Sequence, residues 1–206
     1  SGPVSLVFAR QVLPRVRELP LGGVCGVWEL VKREGGAEFT EIFEHPSREL
    51  MGIGVPVITD HEIWNDNPEK VLGFREDFAV NYPATTAAIL RAVIKAQQWL
   101  DADSGANRAE AVEILSRPNY VGADAEVIAA SMTGQFTFAP GDTRPAEGFN
   151  IFFDKFAGYP FYSDAVWYLT QMRRWGQVPE SKPDQWYIDT AKAAYRTDLY
   201  DTAAAS

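Results

Sequence analysis

VLGFREDFAVNYPATTAAILRAVIKAQQWL, residues 71–100, decides the fold class. Val71-Leu72-Gly73-Phe74 is a short apolar run of strand character, and Glu76 to Tyr82 reads as a short helix. Pro83 then stands at the first turn of a long helix, where its missing N–H costs nothing. Ala88, Ile89, Ala92, Val93, Ala96, Trp99 and Leu100 recur at spacings of three and four, so this stripe is expected to face inward. A strand feeding helices in this way predicts an α/β fold in which helix dominates the readable part.

Toward the C-terminus the helical signals continue. Asn107-Arg108-Ala109-Glu110 has the pattern of a capping box, with the helix ending near Leu115 ahead of Pro118. A further helix is predicted over Ala125 to Met132, stopped by Gly134, followed by a loop holding Pro140, Gly141, Pro145 and Gly148. Ser163 is expected to cap a helix carrying Val166, Leu169, Met172 and Trp175, with Asp164 at its positive end, Arg173 and Arg174 at its negative end, and Gly176 as its stop. A last helix around Trp186 to Tyr195 is expected to bury Trp186, Ile188, Ala191 and Tyr195, with a short one after Asp198.

Upstream, Gly52 to Thr59 is apolar and β-branched, which suits a short buried strand with Pro56 at an edge or bulge. Residues 1–50 differ from the rest: they contain no Asp, Asn or Tyr, where the density of the remaining chain predicts roughly eight or nine. Codons for these three residues share a middle A and a third-position pyrimidine. Two readings stay open: a segment translated from a shifted frame or otherwise foreign, or a divergent region of Val-Leu-Phe strands with an amphipathic turn around Trp28 to Val31. The organisation expected is therefore 1–50 as a divergent or out-of-frame segment and 51–206 as the organised region.

Bulk properties exclude several function classes. The chain has 206 residues, 46% of them hydrophobic, which is enough for a sizeable core. With 28 acidic against 19 basic residues it lacks the positive field that draws proteins to phosphate backbones, so nucleic acid is not an expected partner. Arg91 and Lys95 break the most helical stretch, and nothing approaches the ~20 apolar residues needed to span a bilayer. Ser1 to Val7 has no basic region leading into a long apolar block, so no signal peptide is visible there. The single cysteine, Cys25, rules out an internal disulfide and a cysteine-based zinc cluster. His45 and His61 are the only histidines, and the stretch His61 to Asn65 lacks the second His of a helical zinc-protease motif, so no metal site is expected.

Further motifs fail on their spacing. Asp101-Ala102-Asp103-Ser104-Gly105 opens like a calcium loop, but Ala106 stands at the required glycine and Val112 at the closing acid, so it reads as a helix-ending loop. Gly52-Ile53-Gly54 lacks the third glycine of a dinucleotide fingerprint, and no phosphate loop or nucleophile elbow occurs, so no cofactor and no catalytic residue is expected. The aromatics Phe149, Phe152, Phe153, Phe156, Tyr159, Phe161 and Tyr162 suit a small core or interface better than a ligand platform. Tyr168, Arg173 and Arg174 suit dipole complementation better than an anion site.

Residues from about 51 to the end resemble the C-terminal portion of the NrtA/CmpA-type solute-binding proteins of nitrate and bicarbonate ABC importers. The segments that carry the likeness are Val57 to Trp64 (VITDHEIW), Asn67 to Gly73 (NPEKVLG), Trp99-Leu100-Asp101, Ala109 to Tyr120 (AEAVEILSRPNY), Tyr162-Ser163-Asp164 with Trp167 to Gln171, Arg174-Trp175-Gly176, and Arg196 to Tyr200 (RTDLY). What the resemblance implies is a periplasmic-binding-protein-like (type II) α/β fold, present in part: the helix-rich portion of a two-lobed protein, with the first lobe largely missing. In the family, the position matching Lys70 contacts the ligand, as lysine in nitrate binders and as an acidic residue in a bicarbonate binder. Lys70 therefore points to nitrate or nitrite and away from bicarbonate. The charge argument is independent: a monoanion entering a desolvated cleft requires a compensating cation, and an ammonium supplies one with three donors. A Gly-Glu-Pro-Trp-type segment that family members carry upstream of the lysine is not reproduced in Phe39 to Leu50. His61 and Trp64 are assigned structural roles, as a turn polar group and a packed aromatic.

The function expected from the resemblance is that of a solute-binding component delivering nitrate or nitrite to an ABC permease and its ATPase, on the periplasmic or exterior membrane face. The alternatives are a cytoplasmic nitrate/nitrite sensor acting on a regulatory protein partner, and a fragment without a complete binding site. An enzyme resembling the pyrimidine-precursor synthases of the same fold is disfavoured, because two His and one Cys are too few for their iron chemistry.

Overall fold

A computed structural model describes the backbone of three short N-terminal strands and residues 58–205 apart from 69, 140 and 147. The strands are β1 (Ser5–Phe8), β2 (Glu29–Arg33) and β3 (Gly36–Thr40). The strand predicted over Gly52 to Thr59 lies almost wholly outside the described residues. Then follow α1 (Asp60–Ile63), β4 (Val71–Phe74), α2 (Glu76–Asn81), α3 (Pro83–Gly105), α4 (Arg108–Leu115), α5 (Ala125–Thr133), β5 (Gln135–Ala139), β6 (Asp142–Pro145), a short 3-10 turn at Asp154–Phe156, α6 (Tyr162–Arg174), α7 (Asp184–Ala194) and α8 (Thr197–Ala204).

The chain divides into two compact units. Among the described residues, the first comprises β2, β3 and residues 58–70 and 97–155, and the second comprises β1 and residues 71–96 and 156–205.

In the second unit β4 pairs in parallel with β1, with Ser5 opposite Val71 and Phe8 opposite Phe74. Its core gathers Ala165, Ala191 and Tyr195 from α6, α7 and the residue after α7, with Val71, Val166 and Ala194 packed against them. Leu90 and Ile94 on α3 are also buried. Helix α6 starts at Tyr162 with Phe161 in the capping position, so Ser163 lies inside the first turn, donating to Asp164 Oδ1, and does not cap. Gly176 ends the helical series with φ +78°, as its spacing predicted. Of the residues expected to be buried on α7, Trp186 is half-buried and Ile188 is 40% exposed, while Trp175 after α6 is 73% exposed, with the Arg174 guanidinium over its ring.

The first unit places Ala111, Val112, Ile128 and Met132 of α4 and α5 at its centre, with Trp99, Leu100, Leu115 and Phe152 against them. The antiparallel pair β2–β3 also belongs to it and occupies part of the turn predicted around Trp28 to Val31. The predicted loop after Gly134 is a hairpin, β5 against β6. Phe136, alternating with exposed neighbours, turns inward and meets Phe149 edge-on at 4.7 Å, and this burial is what a loop reading omits.

Helix α3 corrects the predicted stripe. Its buried positions are Thr86, Leu90, Ile94, Gln97 and Asp101, at four, four, three and four residues apart, whereas Ala88, Ala92 and Ala96 are exposed. Alanines offer little apolar area, while Thr86 is admitted to the interior because its hydroxyl donates to Tyr82 O at 3.0 Å. An apolar scan counts the first and discards the second.

Candidate functional site

The segment carrying Lys70 begins with a cap. Thr59 donates from both its N–H and its hydroxyl to Glu62 Oε2, at 2.8 and 2.9 Å, and Glu62 N–H donates back to Thr59 Oγ1 at 3.3 Å. This is a capping box, Thr59-Asp60-His61-Glu62, opening α1. The Thr59 backbone and hydroxyl bonds hold the Glu62 carboxyl below its ordinary pKa. The box expected at Asn107 does not form: Asn107 Nδ2 instead donates to Trp99 O at 2.7 Å, closing the turn between α3 and α4.

After α1 the chain reverses through Asp66, whose φ is +57°. The Asp66 N–H faces His61 Nδ1 at 3.5 Å, and its carboxylate meets Lys155 Nζ at 3.0 Å. Asn67 and Pro68 are buried, and Lys70 is half-buried, immediately before β4. His61 thus acts as the turn polar group expected of it. Trp64 is more open than a packed aromatic, with 43% exposure.

Lys155 ends a segment anchored from below by Asp101. The N–H groups of Phe152, Phe153 and Asp154 donate to Asp101 Oδ2 at 2.8, 2.7 and 3.1 Å, and Arg108 Nη2 donates to Asp101 Oδ1 at 2.7 Å. Arg108 also donates to the carbonyls of Leu100, Met132 and Asn150, and Asn150 Nδ2 donates to Ser131 O. Burial opposes the charge on Asp101, but the donors from Phe153, Asp154, Arg108 and Phe152 outweigh it, and the pKa is lowered. Asp101 therefore stays ionised as the hub joining the end of α3, the start of α4, the end of α5 and the aromatic segment. The helix-ending turn after it passes through left-handed Asp103, Ser104 and Gly105, and a Cβ on Gly105 would meet Arg108 Nε at 2.7 Å.

Sequence reasoning tested Asp101 only as a calcium ligand and did not find this hub. The available signal was an acid on the inward face of a helix with an arginine seven residues on. The aromatic run 149–162 is divided between the two units, with Phe149, Phe152 and Phe153 in the first and Phe156, Tyr159, Phe161 and Tyr162 in the second. No group of three or more His, Cys, Asp or Glu suited to a metal ion occurs among the described residues.

Comparison with known proteins gives this arrangement a family. Residues 47–116 match the model of the NMT1-like family. The nitrate/nitrite binding protein NrtA of Synechocystis sp. strain PCC 6803 is 32% identical over 234 residues, covering 99% of this chain and 51% of that protein. The nitrate import ATP-binding protein NrtC of the same organism is 35% identical over 156 residues, covering 74% of this chain and 22% of that protein. The crystal structure of the periplasmic nitrate-binding protein NrtA from Synechocystis PCC 6803 superposes with a TM-score of 0.72 at 29% identity, covering 81% of this chain and 43% of the solved one. This chain thus spans about half or less of the length of these relatives. Sequence likeness and superposed fold agree: the chain belongs to the NrtA-type family of solute-binding proteins and has their periplasmic-binding-protein-like α/β fold.

Proposed function

We propose that this chain binds a small inorganic anion, nitrate or nitrite, as the solute-binding component of an ABC importer, and that Lys70 supplies the compensating charge. The observation that carries the reading is the place of Lys70 in a family of anion binders: half-buried, after the buried pair Asn67-Pro68, in the turn that follows the helix opened by the Thr59–Glu62 box. A desolvated monoanion requires a cation held near it, and a lysine ammonium reaching out from this turn supplies that charge with three donors. Binding, with no chemical step, is the activity proposed, and a permease with its ATPase are the partners. The site of action is the periplasm or the exterior membrane face. No helix among the described residues is long and apolar enough to cross a membrane.

A second reading is favoured by one observation: a stretch like this one occurs within a protein named as an ATP-binding component of nitrate import. On that reading the region senses nitrate or nitrite and acts on a regulatory protein partner from the cytoplasmic side. Residues 1–50 stand as a divergent or out-of-frame segment; a coding sequence with one intact, homologous frame removes the second of these.

Parallel calorimetric titrations with nitrate, nitrite and bicarbonate test the function. Saturable heat with nitrate or nitrite and none with bicarbonate is the expected pattern. A preference for bicarbonate overturns the assignment of ligand, and a folded protein giving no heat with any of the three overturns the binding role.

A further inference from the structure

Lys70 itself lies in a turn, and a turn holds a ligand group in place only if something holds the turn. Two contacts do so, both to residues 146–155 of the same unit. At the first, Gly148 has φ +70°, and a Cβ built there would stand 2.8 Å from both Cε1 and Nε2 of His61. The imidazole therefore occupies the space that any side chain at position 148 would fill, and from that seat its Nδ1 faces the Asp66 N–H. At the second, the Asp66 carboxylate pairs with Lys155 across 89 residues of sequence. Both partners are non-glycine residues at φ +57°, a conformation that persists only where surrounding contacts enforce it.

The receiving segment is itself fixed. Ala146 N–H donates to Gly134 O at 2.7 Å, Arg108 reaches Asn150 O, and Asp101 takes the three N–H groups up to Asp154, the residue before Lys155. An exposed ion pair alone would hold little. An imidazole seated against a glycine where a Cβ would collide with it, backed by that pair and by an anchored segment, holds more.

We propose that Gly148, His61, Asp66 and Lys155 are positioning residues for Lys70, tying its turn to the 146–155 segment so that the ammonium is set before the anion arrives. The proposal rests on the Lys70 reading above. It assigns anion affinity in part to residues that do not touch the anion.

The test combines amide hydrogen exchange with nitrate and nitrite titration on Gly148→Ala, Asp66→Lys, Lys155→Asp and the double charge swap. In Gly148→Ala, exchange over residues 61–70 should accelerate while α4 and α5 keep their protection, and anion affinity should fall about tenfold, or ~1.4 kcal/mol. Each single charge change should weaken affinity by about threefold, and the swap should restore it. The exposed pair keeps the test valid even where Gly148→Ala does not fold. Exchange that stays slow in a folded Gly148→Ala, or a charge swap no better than its singles, overturns the tie. Faster exchange with unchanged affinity overturns its role in binding. A wild-type protein that binds neither anion removes the Lys70 reading and the ligand role of the tie together, a result distinct from loss of the tie alone.

Discussion

In the unit containing residues 97–155, the buried carboxylate of Asp101 meets the N–H groups of Phe152, Phe153 and Asp154 and the guanidinium of Arg108. In the unit containing residues 156–205, the buried hydroxyl of Tyr195 meets no hydrogen-bond partner. The first unit is cross-linked by polar contacts that join the α3–α4 turn to the end of α5 and to residues 150–154. The second gathers Ala165, Ala191 and the Tyr195 ring in an apolar cluster. The candidate anion site lies on the polar side of this division, with its supporting turn bonded through to the Asp101 hub. A site for a small ion needs fixed donors, and directional bonds fix donors better than apolar contact does.

This contrast can be broken by substitution, reading each unit separately through native-state hydrogen exchange. The largest effect is expected from Asp101→Ala, which leaves the part-buried Arg108 without its carboxylate and the N–H groups of Phe152, Phe153 and Asp154 without their acceptor: the first unit should lose about 3 kcal/mol. Protection of α4 and α5 that survives this change would mean that the hub is not what holds the unit. Leu90→Ala should cost the second unit about 3 kcal/mol through the cavity left behind, because Leu90 is only 2% exposed. A loss in α4 and α5 as large as that in α6 and α7 would erase the distinction between the units.

Acid should sharpen the contrast, since two carboxyls shift in opposite directions. Asp101 is lowered in the fold, so its contribution is complete above the ordinary aspartate range and is lost as the pH falls through its folded value. Asp164 is raised, by burial against a weaker bond from Ser163, so its charged form penalises the fold at neutral pH and the penalty lifts as the pH falls through that raised value. Exchange measured from neutral pH down through and below the ordinary aspartate value should therefore show the first unit loosening more than the second. Parallel loosening of both would contradict the assignment. At the alkaline end, Tyr195 is raised by burial and by the charge of Asp164, so the second unit should lose stability as the pH rises past the ordinary tyrosine value. Tyr195→Phe removes that loss. At neutral pH it should be the smallest change of all, neutral or stabilising within about 1 kcal/mol, since it deletes an unsatisfied hydroxyl without changing shape. A clear destabilisation would indicate a partner for that hydroxyl.

Much of the helical order was legible in the sequence, for reasons that act locally. Pro83, Gly134 and Gly176 start or stop helices through their own backbone limits, and all three do so in the structure. What failed depended on partners elsewhere in the chain. The inward face of α3 was misread because Gln97 and Asp101 are buried polar residues, and the contacts that satisfy Asp101 come some fifty residues later, at Phe152 to Asp154. Asn107 and Ser163 have the composition of caps, but Asn107 is drawn to the Trp99 carbonyl and Ser163 lies inside the first turn, past the capping residue Phe161. The box that does form, Thr59 to Glu62, fits the same pattern but opens only a four-residue helix, too short to carry an apolar periodicity. Lys70 is proposed as the ligand residue through family likeness alone, since composition gives a lysine in a polar turn no distinction from a solvated one. The Gly148 seat for His61 is a contact across 87 positions and leaves no local trace.

The central claim is that Lys70 carries anion binding in this unit. It is tested most directly by titrating nitrate into the wild-type protein and into Lys70→Glu under identical conditions. The account predicts saturable binding in the first and none in the second, with both proteins equally folded. Nitrate binding of equal strength in Lys70→Glu would contradict it.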